Sequence, residues 1–241
     1  MANSVYEITL AGHTIRYRFR RVQTKYYFRP FLRGSKSAEW DILLSAEDLA
    51  QGRLLYDESY PDAYVEFRTL RKPSSRFLMD LGCCIFHATA FLYQGRAWLL
   101  AAPSGTGKTT QFLHWQRLYP GEIEMICGDM PVLERRAEGV WVHPSPWNGK
   151  ENMGGTASAP LAGIVFLAQG QTNRAEELPP RELVTSAIKQ LVCRPDTEKE
   201  WLSAATILDA ALHGSRSFRY VNRGDDASTE LLRNLIQRGE S

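Results

Sequence analysis

The sequence has no apolar run near the roughly 18 residues that a membrane-crossing helix needs. Its best clean one, residues 161–168, is a strand's length. No CxxC spacing occurs among its four cysteines, Cys83, Cys84, Cys127 and Cys193, and 241 residues bury a core without disulfide staples. No apolar stretch precedes Arg16 as a secretory signal would require, so the chain reads as cytoplasmic with reduced thiols. Charge of one sign is not in excess: 29 Lys and Arg against 27 Asp and Glu leave +2, which makes no case for nucleic acid. Internal repeats and low-complexity tracts are absent as well. What is present, 44% hydrophobic and 23% charged residues, is ordinary for a globular protein and excludes a disordered or collagen-like chain. At about 150 residues per domain the length suggests one core with an appended module.

Although the net charge is small, its signs are segregated. Residues 14–36 hold eight basic side chains and no acid, interleaved with six aromatics; residues 37–66 hold eight acids against the single Arg53. Ile15, Tyr17 and Phe19 alternate with Arg16, Arg18 and Arg20, the period of a half-buried strand. The basic stretch either docks an acidic peptide or phosphorylated partner, or forms a solvated face neutralised by the acidic segment beside it. Such local neutralisation marks a self-contained β-rich module over residues 1–72.

Pro73, Ser74 and Ser75 mark a boundary, and residues 73–241 read as the core. A helix is expected over 76–84, then a strand pair about the Gln94-Gly95 turn. The apolar run 97–101 enters a glycine-rich loop and a helix over 107–118. Strands follow at 122–127 and 161–168, with a hairpin at 132–141 about Glu138-Gly139. Val184, Ala187, Ile188 and Leu191 keep helical spacing after Pro179-Pro180. Helices at 199–212 and 228–237 flank a strand at 218–221. Strands alternating with helices give an α/β core.

The strongest chemical signal runs from Ala102 through Pro103, Ser104, Gly105, Thr106, Gly107 and Lys108 to Thr109, with Thr110 next. It matches the phosphate-loop pattern G-x-x-x-x-G-K-[ST] except that Ala102 replaces the first glycine. Gly105 and Gly107 let successive backbone N–H groups turn inward on an anion, and the helix beginning there adds its positive end. Lys108 suits the β- and γ-phosphates, and the Thr109 hydroxyl suits Mg²⁺. Asp129 ends the strand after the loop's helix, which places a carboxylate beside the phosphates; the plainer reading is a turn residue. His87, ahead of the strand pair, reads by itself first as a satisfied core histidine, with a catalytic role as the alternative.

Together His87-Ala-Thr-Ala, Gly95-Arg-Ala-Trp, the loop, Trp115, Ile126-Cys-Gly-Asp-Met-Pro-Val, Pro146-Trp-Asn-Gly-Lys and Pro160-Leu-Ala-Gly-Ile-Val-Phe-Leu resemble the HPr kinase/phosphorylase-like family. They are most similar to its short bacterial relatives, which include serine kinases of precursor peptides. The resemblance covers residue 76 to the C-terminus. It implies a phosphoenolpyruvate-carboxykinase-like P-loop core on a mixed sheet, with ATP and Mg²⁺ as cofactors. On that resemblance Ser104, Gly105, Thr106, Gly107, Lys108, Thr109 and Thr110 cradle ATP and Mg²⁺, Asp129 is metal partner or general base, and His87 lies close to the transferred phosphate. Lys150 is a candidate for neutralising the phosphoryl group, or an exposed lysine after an Asn-Gly turn. The segment 145–160 has the glycine content of a mobile lid.

One departure stands out. The family usually has adjacent aspartates where this chain reads Gly128-Asp129-Met130, so only one carboxylate remains. The resulting expectation is an ATP-dependent kinase acting on a serine hydroxyl of a peptide or protein, with no nucleic acid or membrane partner. The alternatives are a nucleotide-binding regulatory module without turnover and a kinase of a small alcohol. A homo-oligomer is compatible with the sequence, but no interface pattern specifies one.

Overall fold

The computed structural model describes residues 4–32 and 38–238. The N-terminal hairpin pairs β1 (Ser4–Leu10) with β2 (His13–Phe19) through a turn in which Ala11 and Gly12 both take positive φ. A 3-10 helix (Val22–Phe31) follows, and β3 (Trp40–Ile42) adds parallel to β2. The alternation read in the sequence holds: Ile15, Tyr17 and Phe19 are fully buried. On the opposite face Arg16 pairs with Glu7 and Asp41, and Arg18 with Asp41, while Arg21 beyond the strand pairs with Asp62. Asp41 and Asp62 come from the acidic stretch, as local neutralisation required. Arg33 and Lys36 of the basic stretch lie outside the described residues.

Three helices then depart from the expected β-rich module: α1 (Ala46–Arg53), α2 (Asp62–Thr69) and α3 (Arg71–Asp80). Residues 4–72 thus carry about as much helix as strand. The helix expected over 76–84 starts five residues earlier and ends before Cys83. Pro73 lies in its first turn, where a missing N–H costs nothing because that group has no intrahelical acceptor. The boundary at Pro73 therefore falls inside a helix.

Beyond it come β4 (Cys83–Ile85), β5 (Ala88–Tyr93), β6 (Arg96–Ala101), α4 (Lys108–Leu118), β7 (Ile123–Cys127), β8 (Val132–Arg136), β9 (Gly139–His143), β10 (Ala159–Gln169), β11 (Arg174–Glu176), α5 (Pro180–Ile188), α6 (Glu198–His213), β12 (Arg216–Asn222) and α7 (Asp226–Gln237). The protein is a mixed α/β fold. One sheet runs β4-β8-β9-β10-β6-β5-β7, with β12 parallel to β10 and β11 on β12. Long β10 curls it: Ala159 and Pro160 pair with β9, while Leu161 onward pairs with β6 and β12. Among the described residues no helix is long and apolar enough to cross a membrane. All four cysteines are unpaired.

Alternation along the strands sorts the core. Cys84 and Leu133 face one apolar cluster with α5 and α6, whereas Cys83, Ile85 and Val132 face another with the N-terminal sheet, α2 and α3. A third cluster packs α4 and α7 on β5, β6, β10 and β12. Trp147 joins the N-terminal half to the core. It is fully buried, stacked on Phe67 and edge-on to Phe28, with its indole N–H donating to the Phe67 carbonyl at 3.3 Å. Trp147→Ala is expected to cost about 3–5 kcal/mol of unfolding free energy, read by urea denaturation.

Candidate active site

Strand directions bring the site together. β5 lies between β6 and β7 and is antiparallel to both, so β6 and β7 run the same way. The end of β6, the end of β7 and the start of β5 therefore meet at one edge of the sheet. The glycine loop leaves the first, Asp129 follows the second, and His87 precedes the third. The Ala88 N–H donates to the Asp129 carbonyl at 2.9 Å, and the Thr89 hydroxyl to that of Gly128 at 2.9 Å. These bonds fix the Asp129 backbone against β5.

The loop has the form its glycines require. Gly105 and Gly107 have φ of 81° and 102°, and a Cβ added at either would meet nothing within 4 Å. The first turn of α4 has no side-chain cap and no acid, which leaves its N–H groups open to an anion. The Thr106 hydroxyl braces the loop by donating to the Pro103 carbonyl at 2.9 Å. Ala102, at the missing first glycine, is buried and supplies a carbonyl to Lys108.

Lys108 is the central charge. Its ammonium is buried, donates to the carbonyls of Ala102 (2.8 Å) and Pro103 (3.3 Å), and lies 3.2 Å from His87 Nε2. The same Nε2 lies 3.2 Å from Asp129 Oδ1. A neutral ring nitrogen is either donor or acceptor, so Nε2 accepts from Lys108 or donates to Asp129, never both at once. Burial lowers the Lys108 ammonium from its ordinary value, against the opposing pull of Asp129. For Asp129 burial pushes the carboxyl up, but the hydrogen bond and charge of His87, then Lys108 and Arg68, outweigh it and hold it below its ordinary value.

Ser104, Gly105, Gly107, Lys108, Thr109, Thr110, Asp129 and Lys150 line a cleft of about 470 Å³. Thr106 and His87 are not among the lining residues, and His87 joins the site through its contacts with Lys108 and Asp129. Lys150 is exposed at the rim beside Glu151, in the turn position its plainer reading assigned. Sequence reasoning missed the opposite wall, made by Tyr56, Tyr60, Tyr64 and Arg68. Tyr64 and Arg68 are one turn apart on α2, whereas Tyr56 and Tyr60 come from the turn before it, so only the concentration of tyrosines over 56–64 signalled this wall. The rings pack on one another, and Arg68 Nε donates to the Tyr56 hydroxyl at 3.2 Å.

The segment 145–160 differs from the expected free lid. The Ser145 hydroxyl donates to the Met130 carbonyl at 2.5 Å and Trp147 is core. Its far end is tied to β7 and the residue after it: the Gly128 N–H donates to the Met153 carbonyl, and the Gly155 N–H to that of Ile126. The stretch between, with Gly149 and Lys150, reaches the cleft.

The two positions for a second carboxylate separate cleanly. A Cβ on Gly128 would lie 2.7 Å and 2.8 Å from the backbone oxygens of Met153 and Asn148, so that position admits no aspartate without backbone movement. Met130 has room for a side chain, but it is buried in the apolar cluster, with its sulfur accepting from Arg71 Nη1 at 3.4 Å.

No family model and no curated protein matches the chain. Among solved structures it is similar to the HPr(Ser) kinase/phosphatase from Coxiella burnetii. The match spans 65% of this chain and 99% of that one, at 9% identity and a TM-score of 0.36. The relationship is distant and structural.

Because the folded Asp129 carboxyl titrates below its unfolded value of about 3.9, its ionised form contributes stability above that pH, which is lost as pH falls through the folded value. The stability difference between wild type and Asp129→Asn should therefore shrink from about pH 4 downward, read by urea titration at stepped pH.

Proposed function

We propose that the chain is an ATP- and Mg²⁺-dependent kinase that transfers the γ-phosphoryl group to a hydroxyl, with a serine of a peptide or protein as acceptor. On this reading its P-loop core is phosphoenolpyruvate-carboxykinase-like. The observation that carries the reading is the convergence of Lys108, His87 and Asp129 at the mouth of a glycine loop whose N–H groups face an open cleft.

The residues present fit the groups this reaction needs. An open cradle at Gly105 and Gly107, an uncapped α4 and the Lys108 ammonium suit a chain of phosphates. The Thr109 hydroxyl and the Asp129 carboxylate, held below its ordinary pKa, line the same cleft and would hold Mg²⁺. Bound Mg²⁺ supplies charge neutralisation across the phosphate oxygens.

The protein's part is mainly positioning and charge. A phosphate anion draws Lys108 away from the Ala102 and Pro103 carbonyls, and His87 Nε2 is then released to donate to Asp129. That bond orients the carboxylate. Asp129 takes the proton from the acceptor hydroxyl as its oxygen bonds to the γ-phosphorus and the bond to the β–γ bridging oxygen breaks, leaving ADP. The wall of Tyr56, Tyr60, Tyr64 and Arg68 gives the N-terminal half a place beside the reacting groups, where an acceptor can be held. Lys150 at the rim adds positive charge.

A second reading is favoured by one feature. With Gly128 and Met130 on either side of it, Asp129 alone holds the metal and removes the proton, as in a nucleotide-binding regulator with little turnover. Calorimetry of a non-hydrolysable ATP analogue separates the readings. Mg²⁺-dependent binding lost in Lys108→Ala, together with acceptor labelling reduced about 10²- to 10⁴-fold in Asp129→Asn, is expected of the kinase. Binding without any phosphate release or labelling establishes the regulator, and transfer that persists in Lys108→Ala overturns the site. Met130→Asp, which buries a carboxylate in the apolar cluster beside Arg71, and Gly128→Asp, which meets backbone oxygens, are both expected to lose stability in thermal melts.

A further inference from the structure

At the far end of the β4–β8 ladder from these reacting groups, four potential metal ligands, His13, Cys83, Glu134 and His143, gather where the N-terminal hairpin meets the sheet edge. Cys83 on β4 stands directly opposite Glu134 on β8, so both side chains leave the same face of the ladder. On β9, Trp141 is opposite Glu134, and His143 two residues on therefore shares that face. His13, the first residue of β2, arrives from the N-terminal hairpin. One donor atom each from His13, Cys83 and Glu134 lies within 4.8 Å of the other two.

The surrounding bonds orient these donors. His13 Nδ1 is 3.1 Å from Glu39 Oε2, which leaves Nε2 as its available nitrogen. Glu134 Oε2 accepts from His143 Nε2 at 2.8 Å and from Arg136 Nε at 2.7 Å, which leaves Oε1. His143 is held in turn by the Ser158 hydroxyl at 2.9 Å from Nδ1. A carboxylate behind a histidine and donors behind a carboxylate are the outer contacts that metal ligands use.

From this arrangement we infer that His13, Cys83 and Glu134 form a zinc site, with His143, Arg136 and Glu39 as the groups that position the ligands. Nitrogen, thiolate and carboxylate together suit Zn²⁺, whereas Mg²⁺ and Ca²⁺ prefer oxygen alone. Bonds of about 2.0–2.3 Å set donors about 3.5 Å apart, so a modest rotation of half-buried His13 closes the set. The thiolate and carboxylate neutralise the ion, while Arg136 and Glu39 offset one another. Three protein ligands leave a fourth position for water. The ion pins the turn of β1 and β2 to the edge of the main sheet. It is independent of the phosphate cleft and of the kinase reading.

The test uses the full chain without an affinity tag, titrated with Zn²⁺ and, separately, Co²⁺. One equivalent should bind, with a near-ultraviolet thiolate-to-cobalt band that Cys83→Ser abolishes and Cys193→Ser leaves intact. Glu39→Gln should weaken zinc binding about 10- to 100-fold. Zinc should raise the unfolding midpoint of wild type but not of His13→Asn, a half-buried position that keeps the test valid if Cys83→Ser does not fold. Absence of stoichiometric binding, a band that survives Cys83→Ser, or full zinc stabilisation of His13→Asn would overturn the site.

Discussion

The antiparallel insertion of β5 between β6 and β7 is the constraint on which the rest of the site depends. A strand running the opposite way at that place would carry His87 to the far edge of the sheet. Because β5 starts where its neighbours end, a buried ammonium, an imidazole and a carboxylate meet within hydrogen-bond range without any long loop to place them. The ladder also stiffens the arrangement, since Ala88 and Thr89 bond the backbone on either side of the Asp129 side chain. Buried Lys108 would be costly alone; two carbonyls and the Asp129 charge offset its desolvation.

Much of this was legible in local pattern. The strand–loop–helix at 96–118 follows from an apolar run, two glycines that need positive φ, and a lysine at the helix start. The hairpins at Gln94-Gly95 and Glu138-Gly139 follow from turn chemistry, and β10 from an apolar run buried on both faces. The position of Asp129 follows from the strand that returns after the loop's helix. His87 was less legible, because its meaning lies in the order of strands across the sheet, which is non-local.

The misses lie where composition competes with tertiary packing. α1 and α2 carry weak apolar periodicity and gain their stability by packing on each other and on the 3-10 helix, so the acidic segment read as β-rich. Pro73 read as a boundary, although the first turn of a helix tolerates it. Gly149, Gly154 and Gly155 read as mobility. In the fold Gly154 and Gly155 allow close approach instead: a Cβ on Gly155 would lie 2.1 Å from the Met125 carbonyl oxygen, and one on Gly154 would meet the Asn148 amide.

Trp147 has a consequence for how such a protein changes over generations. Its ring is clasped by Phe28 and Phe67, and the chain two residues on passes beside Asp129, where a Cβ on Gly149 would lie 3.1 Å from the Asp129 Cβ. Exchange of the N-terminal half for one with a differently shaped aromatic nest would therefore displace the carboxylate as well as the nest. The two halves are not interchangeable cassettes. Recombination between divergent relatives would have to carry the tyrosine stripe, the aromatic nest and the glycine loop as one inherited block.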